Sequence, residues 1–101
     1  MIDWSRITGF DWDEGNEGKL AASGRDISKT EAEQVFANEP LIVSADVKHS
    51  ANEPRYHALG RTDQHRRLFA AFTLRREATL IRPISVRDMN AKEEERYERQ
   101  A

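Results

Sequence analysis

Up to residue 40 the apolar positions recur at helical spacing, and beyond it they run together or alternate as strands do. Before Asp11 only Ile7 and Phe10 suggest a short first strand. Asp13-Glu14-Gly15-Asn16 then opens a helix to about Ser23, with Asp13 as N-cap and Gly24 as a left-handed stop. Gly15 and Gly18 each cost roughly 1 kcal/mol relative to alanine inside a helix, so tertiary contacts must hold this one. The next helix is better specified. Ser28-Lys29-Thr30-Glu31 is a capping box, and Ile27 and Ala32 can form a hydrophobic staple across it. Ala32, Val35 and Phe36 share one face, and Pro40 closes the segment.

Segments 41–45, 55–61, 67–75 and 79–87 are rich in strand formers. Their links are a polar loop at 46–53, a turn at Thr62-Asp63-Gln64-His65 and a tight connection near Arg76-Glu77. Short links between successive strands predict antiparallel neighbours, with the early helices over one face. The predicted class is α+β: an antiparallel meander of four to five strands, two N-terminal helices and a C-terminal helix. That last helix starts after Asp88 or Asn90, where Asn90-Ala91-Lys92-Glu93 resembles a capping box, and runs to Gln100. Its sizeable apolar groups are Met89 and Tyr97 alone, which predicts marginal docking and mobility.

A chain of 101 residues suits one domain spanning 1–101 with one modest core. Charged residues at 34% and hydrophobic ones at 38% predict a small core under a heavily solvated surface. There is no cysteine, which excludes disulfides, thiolate metal sites and a cysteine nucleophile. No signal-like segment or bilayer-length apolar run is present, so the expected location is the cytoplasm, with no membrane partner. The net charge of −2 conceals an asymmetry. Between residues 55 and 87 eight arginines face two acidic groups, whereas residues 1–54 carry five basic and eleven acidic groups. A basic surface on an acidic protein attracts a polyanion to one face.

His49, His57 and His65 lie eight apart in loop, strand and turn, which matches no metal-ligand spacing within one element. No phosphate loop or nucleophile elbow is present, so neither a metal nor a cofactor is expected. What remains is arginine on strands. Arg55, His57, Leu59 and Arg61 point one way, and Tyr56, Ala58 and Gly60 the other. Arg82 and Arg87, five apart, fall on opposite faces unless the strand bends, and Pro83 makes a bulge or an edge position possible. Solvated strand arginines also discourage edge-to-edge pairing, which is the plainer explanation for any one of them. As a set they suit a phosphodiester, because guanidinium donors bind phosphate and stabilise a pentacoordinate transition state without a metal. His57, His49 and Lys19 are the candidates for the base and acid of such a cleavage.

The ordered blocks Trp12-Asp13-Glu14-Gly15-Asn16-Glu17-Gly18-Lys19, Glu31-Ala32-Glu33-Gln34-Val35-Phe36, Arg55-Tyr56-His57-Ala58-Leu59-Gly60-Arg61-Thr62-Asp63, Phe72-Thr73-Leu74-Arg75 and Ile81-Arg82-Pro83-Ile84-Ser85-Val86-Arg87-Asp88-Met89 strongly resemble the BrnT toxin family. The resemblance covers about residues 10–98. It implies a bacterial type II toxin with a RelE-like fold, cleaving RNA without a metal and arresting growth. It also implies a BrnA-like ribbon-helix-helix antitoxin, operator DNA bound through that antitoxin, and an antitoxin-bridged dimer. Carried over by position, Lys19, Arg61, Arg75, Arg82 and Arg87 match basic positions of the family and are candidates for binding and polarising phosphate. Ser23-Gly24 stands where the family pattern has His-Gly. An alternative is therefore a non-catalytic or attenuated member that acts through antitoxin binding and operator co-repression.

Overall fold

The computed structural model describes residues 2–100. In chain order the elements are β1 (Gly9–Phe10), α1 (Glu14–Ala22), α2 (Lys29–Gln34), β2 (Ile42–Ala45), β3 (Arg55–Arg61), β4 (Arg67–Arg75), β5 (Leu80–Asp88) and α3 (Ala91–Gln100), with short 3-10 turns at Trp4–Arg6 and Val47–His49. The sheet order is β1-β5-β4-β3-β2. Strands β2 to β5 form the expected antiparallel meander. The fifth strand corrects the picture, because β1 pairs parallel with β5 and makes the sheet mixed. The chain leaves β1 into the helices and returns at the opposite edge, so β1 and β5 run the same way. A two-residue strand has no alternation from which that pairing could be read. Its backbone nonetheless covers the outer edge of β5, with the Thr8 amide donating to Thr79 and the Asp11 amide to Ile81, both at 2.8 Å.

Both early helices begin where capping chemistry places them. The Asp13 side chain accepts from the Gly15 and Asn16 amides, and the Ser28–Glu31 box closes reciprocally at 3.0 Å in each direction. Gly24 adopts φ +72° just past α1, as a left-handed stop requires. Helix α2 ends at Gln34, short of Pro40, and the chain passes through turns to β2.

The core divides by sheet face. Ile27, Ala32 and Val35 from the helical side bury Ala58, Leu68, Ala70, Phe72, Ile81 and Val86 on one face. Phe72 sits at its centre, edge-on to Phe36 at 5.0 Å and stacked on Tyr56 at 5.4 Å. The opposite face holds a smaller cluster of Leu59, Met89 and Tyr97, with Ile42 and Phe69 against it. This corrects the expectation of a marginally docked C-terminal helix. Tyr97 is only 2% exposed, and its hydroxyl donates to the Pro40 carbonyl at 2.7 Å. One aromatic anchor with a polar handle, seated on Leu59, docks a helix whose other side chains are polar.

The register also settles the arginine faces. Between Ala71 and Phe72 the β4–β5 pairing shifts: Phe72 faces Pro83, Ala71 faces Ser85, and Ile84 is left unpaired. The extra residue is a β-bulge. It brings Arg82 and Arg87 onto the same face, since their partners Thr73 and Phe69 are four apart on β4. Pro83 lies on β5 just past the end of β1, whose pairing stops at Ile81, so no strand flanks it on that side. Its carbonyl accepts instead from the Asn16 side chain at 2.8 Å. Asn16 is buried, donates also to the Asp11 carbonyl at 3.0 Å, and its Oδ1 accepts from the Asp13 and Glu17 amides. One side chain thus takes over from β1 where that strand stops and ties α1 to the bulge. No helix is long and apolar enough to cross a membrane among the described residues.

Candidate functional site

On the sheet face opposite the larger core the cross-strand register sets out three rows: Arg55–Thr73–Arg82, His57–Ala71–Ser85 and Leu59–Phe69–Arg87. The middle row has small side chains at Ala71 and Ser85, which leaves His57 standing beside a low floor between two rows that carry guanidinium groups. Adjacent rows are two residues apart, about 7 Å along the strands.

At the first row a solvent-open cleft of about 240 Å³ is lined by Gly15, Lys19, Arg55, Arg75, Arg82 and Glu53, among others. Three of the sequence candidates, Lys19, Arg75 and Arg82, therefore meet in one place, joined by Arg55. They are not equally available. Arg82 is 14% exposed and engages Asp13 with two parallel bonds of 3.0 Å, with Asp11 at 3.4 Å. The Asp13 hydrogen bond, outweighing the cost of burial, strengthens its positive charge, and the same bond holds the Asp13 carboxyl below its usual range. Arg75 makes a single exposed contact of 3.0 Å with Glu53, a weak pair open to competition.

At the third row Arg87 lies 4.0 Å over the Phe69 ring and donates to both Glu93 oxygens, at 2.7 and 2.9 Å. Burial pushes the Glu93 carboxyl up, but the hydrogen bond from Arg87, the Asn90 amide and the charges of Arg87 and His57 hold it below the usual range. The His57 ring is 4.9 Å from Phe69, so the imidazole and Arg87 contact the same aromatic ring. These two candidates are brought together. Arg61 is not. It lies across from Arg67 at the far end of β3, six residues from Arg55 and about 20 Å of strand away. There it lies near Tyr97, where its charge opposes the upward push of burial on the phenol. His65 occupies a left-handed turn position at φ +66°.

Two carboxylates at the site escaped sequence reasoning. Asp46, 8% exposed, accepts from His57 Nε2 at 3.0 Å and from His49 Nδ1 at 2.9 Å. Glu93 arrives from α3. The Asp-x-x-His spacing of Asp46 and His49 could have marked the first as a turn cap, but its contact with His57 crosses between strands. Ser23, at the end of α1, donates to the Leu20 carbonyl at 2.7 Å and closes the helix. Among the described residues no group of three or more His, Cys, Asp and Glu is arranged to hold a metal ion.

No curated protein matches this chain. The family described as the ribonuclease toxin, BrnT, of type II toxin-antitoxin systems matches residues 12–93, which takes in α1 through the start of α3. On that match, which spans most of its length, the chain belongs to the BrnT ribonuclease toxin family.

Proposed function

We propose that this protein is a metal-independent endoribonuclease whose working surface is the open sheet face around His57. The observation that carries the reading is the row order: an imidazole stands between two guanidinium rows over a floor of small side chains. An RNA strand crossing the rows would meet Lys19, Arg55 and Arg75 with one phosphate and Arg87 with the next. His57 takes the proton of a 2′-hydroxyl, which attacks its own phosphorus. A 2′,3′-cyclic phosphate forms and the 5′-oxygen leaves, protonated by an acid or by water. The guanidinium groups stabilise the charge that builds on the phosphoryl oxygens. Arg82, committed to Asp13, works as the latch that holds α1 and Lys19 beside the cleft. For Arg87 to reach a phosphate, that phosphate must displace Glu93. Arg61 belongs in this scheme to distal backbone binding.

A RelE-like fold, a cytoplasmic location and growth arrest on expression fit this reading. So do a BrnA-like ribbon-helix-helix antitoxin, operator DNA held through it and an antitoxin-bridged dimer, since a type II toxin is paired with an antitoxin protein. A second reading is favoured by the carboxylates on Arg82 and Arg87 and by Ser23, which serves helix closure rather than proton transfer. It makes the chain an attenuated member that acts through antitoxin binding and co-repression. The deciding experiment is RNA cleavage by the purified, antitoxin-free protein in excess EDTA, with Arg87→Ala and His57→Ala alongside. Cleavage that survives chelation and is lost in both variants is the expected result. Full cleavage by both variants refutes the site, and no cleavage by the folded wild type supports the second reading.

A further inference from the structure

The loop after β2 is built around one carboxylate. The Asp46 amide donates to the Arg55 carbonyl at 2.8 Å, and its own carbonyl accepts from Ser50 Oγ at 2.6 Å, so the backbone is pinned on both sides. Its Oδ1 caps the 3-10 turn through the His49 amide at 3.3 Å. A cap alone would be served by serine or asparagine, without burying a charge. Here the remaining acceptor positions go to two imidazoles, His49 Nδ1 and His57 Nε2, and no lysine or arginine pairs with this carboxylate among the described residues. Burial raises the Asp46 carboxyl, yet the His49 hydrogen bond, with the histidines' charge when they are protonated, outweighs it and holds the group below its usual range. An ionised carboxylate only accepts, so the nitrogen 3.0 Å away, His57 Nε2, must carry a hydrogen. The neutral ring then has its lone pair on Nδ1. Phe69, 4.9 Å from the ring, restricts it from another side.

From this geometry we propose that Asp46 is a positioning residue, which fixes His57 in the Nε2–H tautomer and so makes Nδ1 the atom that accepts the 2′-hydroxyl proton. The proposal rests on the ribonuclease reading above. In the step itself the 2′-oxygen bonds to phosphorus, its proton passes to Nδ1 and the bond to the 5′-oxygen breaks. Asp46 takes no proton. It stabilises the imidazolium that forms, as an orienting carboxylate does beside other catalytic imidazoles.

The test uses Asp46→Asn and Asp46→Ser, both of which retain a cap for the turn. An asparagine amide can donate to Nε2, which would drive the proton to Nδ1 and block the base. Nitrogen-15 shifts of the neutral His57 imidazole report the tautomer, and steady-state cleavage reports kcat and KM. The expected result is an Nε2–H wild type, an Nδ1–H asparagine variant, and kcat lowered about 100-fold or more with little change in KM. Thermal midpoints identify any loss that is merely unfolding. An Nδ1–H wild type overturns the proposal. So do Asp46 variants that cleave normally while His57→Ala is inactive, a pattern that leaves the ribonuclease reading standing. A fully active His57→Ala, or an inert wild type, removes that reading and the chemical role of Asp46 with it.

Discussion

Removing the Tyr97 ring should undock α3, and the size of the effect follows from what that ring touches. The phenol is buried on Leu59 and Met89, with Ile42 and Phe69 beside them, and these residues make up the whole of the smaller core. Tyr97→Ala empties the centre of that cluster. Aromatic-to-alanine changes in cores cost about 3–5 kcal/mol, a large part of the roughly 5–15 kcal/mol that holds a small domain together. Tyr97→Phe keeps the ring and removes the 2.7 Å bond to the Pro40 carbonyl, for about 1 kcal/mol, since water can reach a half-buried carbonyl. For a domain of this size that corresponds to a fall of about 4–8 °C in Tm. Urea denaturation measures both variants, and amide hydrogen exchange in α3 shows whether the helix itself is released. Because α3 carries Glu93 to Arg87, Tyr97→Ala should also free that guanidinium. A Tyr97→Ala protein within about 0.5 kcal/mol of wild type, where ordinary surface substitutions lie, would refute the docking argument. It would restore the picture of a loosely attached polar helix.

Two glycine substitutions should act with opposite signs. A Cβ on Gly60 would lie 2.8 Å from a Val35 methyl and 2.9 Å from the Val35 carbonyl, whereas Gly18, inside α1, has nothing within 4 Å of its added carbon. Gly60→Ala should therefore lose about 1–3 kcal/mol through overpacking against backbone, and Gly18→Ala should gain up to about 1 kcal/mol of helix propensity, both read from urea midpoints. Equal effects would contradict the close approach of β3 to the end of α2. Stability should also fall in acid. The carboxyls of Glu93, Asp88, Asp13 and Asp46 are all held below their usual range in the folded protein. Their contribution is present above the unfolded carboxylate range, near pH 4, and is lost as pH falls through the lower folded values. Midpoints measured from pH 7 to pH 3 should decline below about pH 4.5, and Glu93→Gln should flatten part of the decline. A profile without that decline would show that these ion pairs do not stabilise the fold.

The sequence by itself determined the elements, because each is written in local chemistry. Asp13 and Ser28 open their helices by capping the first amides, and the strand formers in 55–61 and 67–75 mark β3 and β4 to the residue. The arginine-bearing face of β3 was legible for the same reason, since side-chain direction in a strand has a period of two. Tertiary structure alone decided the rest. Whether Arg82 and Arg87 share a face depended on a bulge whose position is set by the pairing of β5 with β4. The parallel pairing of β1, the docking of α3 through Tyr97 and the meeting of Lys19 with Arg75 each join residues far apart in sequence. Asp46 shows the limit most clearly. Its neighbours along the chain identify a turn cap, while its bond to His57, eleven residues on, exists only because β2 and β3 pair in one register. Local periodicity carries no information about which distant carboxylate meets which base. That choice is made by the packing of the whole sheet.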